Sequence, residues 1–175
     1  MEKAILGGGC FWCIEAIFLE LKGVKKVISG YSGGQLKNPS YEEVCTGTTG
    51  HVEVCEIHFE PNLISYEKLL DIFFHVHDPC SLNRQGNDVG TQYRSIIITL
   101  TEEQNVKARS VKEQLDKSGE FSRPLVTEIK SFETFYEAEG YHQDYYNTHP
   151  GQGYCAYVIQ PKLEKFRQRY KSNLE

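Results

Sequence analysis

The chain has 175 residues, of which 39% are hydrophobic and 25% charged, with a formal net charge of −5. This composition is that of an ordinary globular protein large enough for one domain with its own core, and the negative charge argues against a general nucleic-acid binder. No apolar run approaches the ~20 residues that a membrane-spanning helix needs, and the N-terminus has no signal-peptide pattern. We therefore expect a cytoplasmic monomer that binds neither nucleic acid nor membranes.

The spacing of apolar residues predicts alternating strands and helices along the chain. Strands are predicted at Lys3–Leu6, Val24–Gly30, His51–Phe59, Arg94–Leu100 and Val126–Lys130. Helices are predicted at Phe11–Leu21, Ser65–His77, Thr101 to about Lys117, Glu137–Tyr146 and from Pro161 onward. The β-branched run before Leu100 is typical of a buried central strand, and Thr101 with Gln104 fits a capping box.

The element order β-α-β-β-α-β at the start of the chain is typical of a split βαβ arrangement. We therefore expect an α+β fold: a two-layer sandwich with a ferredoxin-like core, formed as a single domain over residues 1–175. Long connections are predicted at residues 31–50, 78–92 and 132–160. Loops of this length in a compact domain are often functional.

The six cysteines are residues 10, 13, 45, 55, 80 and 155. Their irregular spacing, in a chain this long and rich in helix, predicts free thiols rather than a disulfide framework. Cys55 lies in an alternating strand pattern and is expected in the core. A structural zinc site needs two close pairs, and only one C-x-x-C is present, although His75 and His77 could complete a site. No metal is expected, and His51 and His142 are expected to bond to the backbone.

The segment Gly7–Cys13 places a cysteine directly after a strand and a glycine turn. Cys10 then stands at the first turn of a helix, where the helix N-terminus favours the thiolate. The glycines let the backbone come close to Cys10 and are expected to leave room for a ligand. Phe11 and Trp12 stand beside the sulfur. A reactive thiol next to aromatic rings indicates redox or nucleophilic chemistry on a small apolar group.

Polar residues that could serve this thiolate lie in the long connections and on one strand. Glu53 shares a strand face with Cys55 and other apolar residues, so its pKa is expected to rise through desolvation. A carboxyl group that stays protonated near neutral pH is a proton donor. Tyr41 lies in the first long loop, and Asp88 and Tyr93 lie in the segment that leads into a buried strand.

The sequence resembles the A-type peptide methionine sulfoxide reductases. The run Gly-Cys-Phe-Trp-Cys-Ile-Glu beginning at Gly9 is similar to the active-site motif of that family. Further segments resemble the family's motifs in the same order, and together they cover nearly the whole chain. These segments are residues 30–34, 38–41, 49–53, 83–88, 90–95 and 141–145.

The resemblance implies a reaction at the sulfur of methionine-S-sulfoxide, either free or within a protein. Cys10 would attack the sulfoxide sulfur as a thiolate, and Glu53 would protonate the sulfoxide oxygen. Tyr41 and Tyr93 would hydrogen-bond that oxygen. Methionine would leave, and Cys10 would become a sulfenic acid.

The resemblance also implies the substrate contacts and the partner. Phe11 and Trp12 would hold the S-methyl group against their rings, as sulfur–aromatic contacts favour. Asp88 would orient the substrate or a water molecule at the rim of the pocket. A second thiol would condense with the sulfenic acid, and a dithiol such as thioredoxin would reduce the disulfide. No cofactor is implied.

The identity of the resolving thiol is open, because Cys13 stands where many relatives have glycine. The resemblance favours Cys155, since relatives place a resolving cysteine after a similar Gly-Tyr. Cys13 is the alternative, because residues i and i+3 of a helix can meet disulfide geometry. The same C-x-x-C is compatible with a general thiol–disulfide oxidoreductase or a zinc-binding module, and the role of Cys80 is open.

Overall fold

A computed structural model describes residues 1–175, and its centre is one six-stranded sheet. The order of the strands is β7-β6-β1-β3-β2-β8, and every pair of neighbours is antiparallel except β6 and β7. The strands are β1 Glu2–Gly7, β2 Val24–Ser32, β3 Val52–Phe59, β6 Ile96–Thr99, β7 Glu128–Ser131 and β8 Phe135–Glu137. A separate hairpin consists of β4 Arg84–Gln85 and β5 Asp88–Val89.

Six α-helices connect or follow these strands: α1 Phe11–Phe18, α2 Tyr41–Cys45, α3 Tyr66–Val76, α4 Glu102–Ser118, α5 Tyr145–Thr148 and α6 Gln160–Arg169. Short 3₁₀ turns occur at Thr91–Tyr93, Gly140–His142 and Lys171–Asn173, and a π-helical segment occupies Cys155–Ile159. None of the helices combines the length and the apolar character that a membrane span requires.

The four central strands confirm the predicted split βαβ core. Strands β1 and β2 are joined through α1 and lie on either side of β3, while β6 follows α3 and pairs with β1. The register aligns Leu6 with Cys55 and Tyr31 with Glu53. The fold is therefore α+β and ferredoxin-like, and the strand predicted from Arg94 to Leu100 lies in the sheet interior as β6.

The two faces of the sheet differ in what covers them. The main core of 33 buried residues joins one sheet face to α1 and α3, and it includes Cys55 and Ile57 of β3. The opposite face carries a smaller cluster of five buried residues that includes Val52 and Val54. Strand alternation therefore turns Glu53 toward the helix layer, on the same side as α1.

The capping signals are only partly as predicted. Thr101 accepts a hydrogen bond from Gln104 N–H at 3.1 Å and caps α4. Gln104 does not complete the box, because its Oε1 accepts from Leu100 N–H at 3.0 Å instead. A reciprocal capping box is found at α2, where Ser40 and Glu43 cap each other's backbone.

The predicted helix at Glu137–Tyr146 is wrong. Residues Phe135–Glu137 form an edge strand on β2, and the chain then makes a 3₁₀ turn before α5. Gln143 explains why a helix does not form, since its side chain bonds to both backbone groups of Ser29, accepting from N–H at 3.0 Å and donating to the carbonyl at 2.9 Å. These long-range bonds tie the segment to the sheet edge.

The last helix begins earlier than Pro161, where the sequence predicts its start. The π-helical segment Cys155–Ile159 runs directly into α6. Pro161 therefore lies inside a continuous helical segment, where its missing N–H leaves one carbonyl of the preceding turn without a helical partner. The helical residues before it bring Tyr154 and Cys155 against α1.

Candidate active site

The turn before α1 is built from glycines at which any side chain would crowd its neighbours. Gly9 has φ of +89°, a conformation that favours glycine, and Cys10 follows as the N-cap. A Cβ atom at Gly8 would lie 2.8 Å from the ring of His77, and one at Gly9 would lie 2.9 Å from Gln85. The predicted room for a ligand at these glycines is therefore wrong, because protein side chains fill it.

Cys10 lies where the sequence places it, but its environment opposes the thiolate. Its side chain is 9% exposed, and burial raises the pKa of the Cys10 thiol well above its ordinary value. Cys13 and Glu53 raise this pKa further, and the backbone N–H of Trp12 only partly opposes them. The helix N-terminus alone therefore does not ionise Cys10.

Cys13 is the more acidic member of the pair. The Cys13 N–H donates to the Cys10 carbonyl at 3.1 Å, so both residues share one turn. The Cys10 thiol is the largest influence that lowers the pKa of Cys13 to about 7, followed, after the opposing effect of burial, by Lys162 and Tyr154. The Cys13 sulfur lies 3.8 Å from the Tyr154 hydroxyl and 4.0 Å from Lys162 Nζ.

Glu53 presents one bonded and one free carboxyl oxygen. Its Oε1 accepts from Phe11 N–H at 3.1 Å, whereas Oε2 is buried with no hydrogen-bond partner. The residue is 1% exposed, and burial raises its pKa to about 8. The carboxyl group is therefore mainly protonated at neutral pH, as the apolar strand face predicts.

The two predicted oxygen-binding tyrosines converge on Glu53. Burial raises the pKa of both Tyr41 and Tyr93, and the charge of Glu53 is the next cause for each. Glu139 holds Tyr41 in place by accepting from its backbone N–H at 2.9 Å and from the hydroxyl of Tyr31 at 2.8 Å. Phenol hydroxyls that stay protonated beside a protonated carboxyl form a set of hydrogen-bond donors.

The two aromatic residues after Cys10 differ in exposure. Phe11 is 1% exposed and packs on Tyr31 with ring centroids 5.7 Å apart, whereas Trp12 is only half-buried. Trp12 donates from Nε1 to His142 Nδ1 at 3.1 Å and stacks on Tyr145 with centroids 3.7 Å apart. The indole is thus fixed in orientation and forms the exposed part of the aromatic wall, with Phe11 behind it.

Asp88 and Cys155 lie near Cys13. Asp88 accepts from the Tyr154 hydroxyl at 2.7 Å, and its charge acts on both Cys13 and Glu53. Cys155 is fully buried, and its pKa is raised by burial and then by the charge of Cys13. The structure therefore brings both candidate resolving thiols to the same region.

The other cysteines and the histidines have separate surroundings. Cys55 is buried as predicted and donates to the Phe11 carbonyl at 3.5 Å, while the partly exposed Cys80 donates to the Arg123 carbonyl at 3.1 Å. His51 bonds to the backbone of Gly34 and Leu36, as expected. His142 instead binds a side chain, that of Trp12. No three His, Cys, Asp or Glu side chains lie close enough together to hold a metal ion.

Sequence reasoning missed several residues that shape the site, among them Glu15. This buried carboxyl group accepts from Asp144 N–H at 2.9 Å and Tyr145 N–H at 3.3 Å, and burial raises its pKa to about 7. Glu15 thereby anchors the loop that carries the stacking partner of Trp12. Its place inside an apolar helix pattern was the available signal, since a charged residue in a buried face needs a partner.

The site places two thiols on one helical turn, opposite a protonated carboxyl group and tyrosine hydroxyls. This arrangement defines a thiol-based oxidoreductase that can donate protons to its substrate. The comparison with known proteins specifies which one. The family model described as peptide methionine sulfoxide reductase matches residues 2–174. The chain therefore belongs to the peptide methionine sulfoxide reductase family.

Relatives and solved structures agree with this assignment. The peptide methionine sulfoxide reductase MsrA of Nitratiruptor sp. is 58% identical over 99% of both chains, and that of Saccharolobus solfataricus is 53% identical over 100% of this chain and 98% of its own. The methionine sulfoxide reductase A structure from Corynebacterium diphtheriae has a TM-score of 0.83 at 36% identity, covering 89% of this chain and 78% of the other. The protein reduces methionine sulfoxide to methionine.

Proposed function

We propose that Cys10 is the nucleophile and Glu53 the proton donor in the reduction of methionine-S-sulfoxide. The observation that carries this proposal is the free Oε2 of Glu53, a buried carboxyl oxygen with no protein partner beside Cys10. The Cys10 thiolate attacks the sulfoxide sulfur while Glu53 gives a proton to the sulfoxide oxygen. Protonation is needed because oxygen is a poor leaving group as oxide.

Tyr41 and Tyr93 donate hydrogen bonds to the same oxygen in this proposal. Their position beside Glu53 supports it, because donors fixed before the reaction stabilise charge that develops on oxygen. Trp12 holds the S-methyl group, backed by Phe11, and Asp88 orients the substrate from the hairpin side. The attack joins Cys10 Sγ to the substrate sulfur, and the protonated oxygen leaves as hydroxide. Hydroxide then adds to Cys10 Sγ and the S–S bond breaks, so the products are methionine and a sulfenic acid on Cys10.

A second thiol condenses with the sulfenic acid, releases water and forms a disulfide. The contacts support Cys13 in this role, since it shares a helical turn with Cys10 and has a pKa of about 7. Cys155 is the alternative that the family resemblance favours. Replacing each with serine tests the choice: the resolving variant completes one turnover but cannot cycle with thioredoxin, whereas unimpaired cycling excludes that cysteine.

A thioredoxin-type dithiol reduces the disulfide in this proposal. Mxr1 of Saccharomyces cerevisiae, whose reduced form is 30% identical to this chain with a TM-score of 0.80, has also been solved in complex with Trx2. We further propose that the chain acts as a single domain, as a monomer and in the cytoplasm. The family match over residues 2–174 supports a single domain.

The first experiment compares the separate S and R epimers of N-acetyl-methionine sulfoxide, with dithiothreitol as the reductant. We expect reduction of the S epimer alone and loss of that reduction in Cys10→Ser. Reduction of both epimers, or a fully active Cys10→Ser variant, would contradict the proposed site. Cys80→Ser is the matched control, because Cys80 is a partly exposed cysteine that donates to the Arg123 carbonyl and has no contact with the proposed site residues.

A further inference from the structure

Lys162 is a cation whose hydrogen-bond partner is a sulfur atom. Its Nζ lies 4.0 Å from Cys13 Sγ, and the ammonium group is partly buried. Two other cations of α6 behave differently, since Arg167 pairs with Glu20 and Arg169 with Glu120. Lys162 forms no ion pair with a carboxylate.

The other titratable groups around Cys13 are neutral or acidic. They come from every element packed on it: Cys10 at the N-cap of α1, Glu53 and Cys55 of β3, Asp88 of β5, and Tyr154 and Cys155 at the start of the last helical segment. Lys162 is the one positive charge in this set. An anionic sulfur that is only 2% exposed needs such a charge, because burial disfavours the thiolate.

We propose that Lys162 is a positioning residue that holds the Cys13 sulfur as a thiolate, ready to condense with the sulfenic acid on Cys10. The proposal rests on the resolving role of Cys13 given above. The Cys13 thiolate attacks the Cys10 sulfur, an S–S bond forms and the S–O bond breaks. Hydroxide leaves and becomes water by taking a proton from solvent, so no oxidant or reductant is needed.

The surroundings of Lys162 fit this task. A groove of about 910 Å³ runs between the β4–β5 hairpin and α6, and Lys162, Tyr154 and Asp88 line it. Solvent therefore approaches Lys162 from the side opposite the buried core. Tyr154 adds a hydroxyl within 3.8 Å of the same sulfur, while the bond from that hydroxyl to Asp88 holds it in place.

Stabilising the Cys13 thiolate also favours reduction of the disulfide between Cys10 and Cys13. A thiol of lower pKa is the better leaving group when a dithiol attacks the disulfide. When a thiolate of the reducing dithiol attacks the Cys10 sulfur, the disulfide breaks and Cys13 leaves as a thiolate. Lys162 then stabilises the negative charge that develops on Cys13. One cation thus assists both steps that involve this sulfur.

The test is the pH dependence of Cys13 alkylation by iodoacetamide, followed by mass spectrometry of the peptide. We expect a midpoint near pH 7 in the native chain, consistent with a pKa of about 7. Lys162→Met should raise the midpoint by about one unit, and Lys162→Arg should restore it, because guanidinium keeps the charge. Lys165→Met is the matched control: Lys165 lines the same groove without contacting Cys13.

A second readout is the rate of disulfide formation after one turnover without reductant. A rise of one unit from pH 7 leaves roughly a fifth of the thiolate at that pH, so we expect an approximately fivefold slower rate in Lys162→Met. An unchanged midpoint in Lys162→Met, or an equal shift in Lys165→Met, would overturn the proposal. Normal cycling by Cys13→Ser would instead remove the resolving role of Cys13, and the proposal with it.

Discussion

Replacing Glu53 with glutamine separates proton donation from the other tasks of this side chain. Glutamine keeps an acceptor for Phe11 N–H, which Glu53 binds at 3.1 Å, but an amide cannot transfer a proton. With a pKa of about 8, Glu53 is roughly nine-tenths protonated at pH 7. We expect the chemical step to slow by about 10²–10⁴-fold, which adds about 3–5 kcal/mol to the barrier.

The assay is a rapid-quench single turnover with the S epimer of N-acetyl-methionine sulfoxide and no reductant. Release of N-acetyl-methionine then reports the chemical step alone, independent of the resolving thiol. Because Glu53 is the acid in the proposed mechanism, the native rate should fall as pH rises above about 8, where the carboxyl group loses its proton. Glu53→Gln should lack this falling limb.

The control is Glu56→Gln, on the same strand but outside the site. Glu56 faces away from Glu53 along β3 and pairs with Lys3 and His58. This variant should react at the native rate. The reasoning would be refuted by a loss of less than tenfold in Glu53→Gln, or by a falling limb near pH 8 that persists in that variant.

Further predictions concern stability and the oxygen-binding donors. The folded chain keeps a proton on Glu53 up to about pH 8, whereas the unfolded chain loses it near 4.5, so this group should lower stability by at most about 5 kcal/mol as pH rises through that window. Urea unfolding should therefore give a lower free energy of unfolding at pH 8 than at pH 5. The part of this decrease that comes from Glu53 should be absent in Glu53→Gln. Tyr93→Phe should slow single-turnover reduction by about 10²-fold through the loss of one donor. Glu15→Ala should cost about 2–4 kcal/mol in urea unfolding, because it leaves the N–H groups of Asp144 and Tyr145 unpaired.

The fold was predictable where local pattern and burial agree. The alternation in β3 places Glu53 on the core side, and the apolar faces of α1 and α3 give the helix layer. The prediction failed at Glu137–Tyr146, because the bonds from Gln143 to Ser29 join residues that are 114 positions apart. Helical spacing within the segment contains no information about such a partner.

The site was predictable in its residue types but not in its electrostatics. The structure brings together Cys10, Glu53 and Tyr93, as the resemblance implies. Burial nevertheless raises the pKa of the Cys10 thiol, whereas the hydrogen bond with Cys10 lowers the pKa of Cys13. Lys162 lies 149 positions from Cys13 and Tyr154 lies 141 positions from it. Neither belongs to a pattern around the C-x-x-C, so only the packed structure reveals them.

The two shifted groups define a narrow pH range for the reaction. In the proposed mechanism Cys10 gives up its proton before it attacks, and Cys13, which shares its helical turn and becomes anionic above a pKa of about 7, can accept that proton. Proton donation to the oxygen requires Glu53 below its pKa of about 8. When Cys13 takes the proton of Cys10, the nucleophile becomes anionic without any change in the charge of the pair, and Cys13 loses this proton to solvent before it condenses with the sulfenic acid. Single-turnover rates should therefore be highest between about pH 7 and 8, and Cys13→Ser should shift the rising limb upward, because Cys10 then has to lose its proton to water.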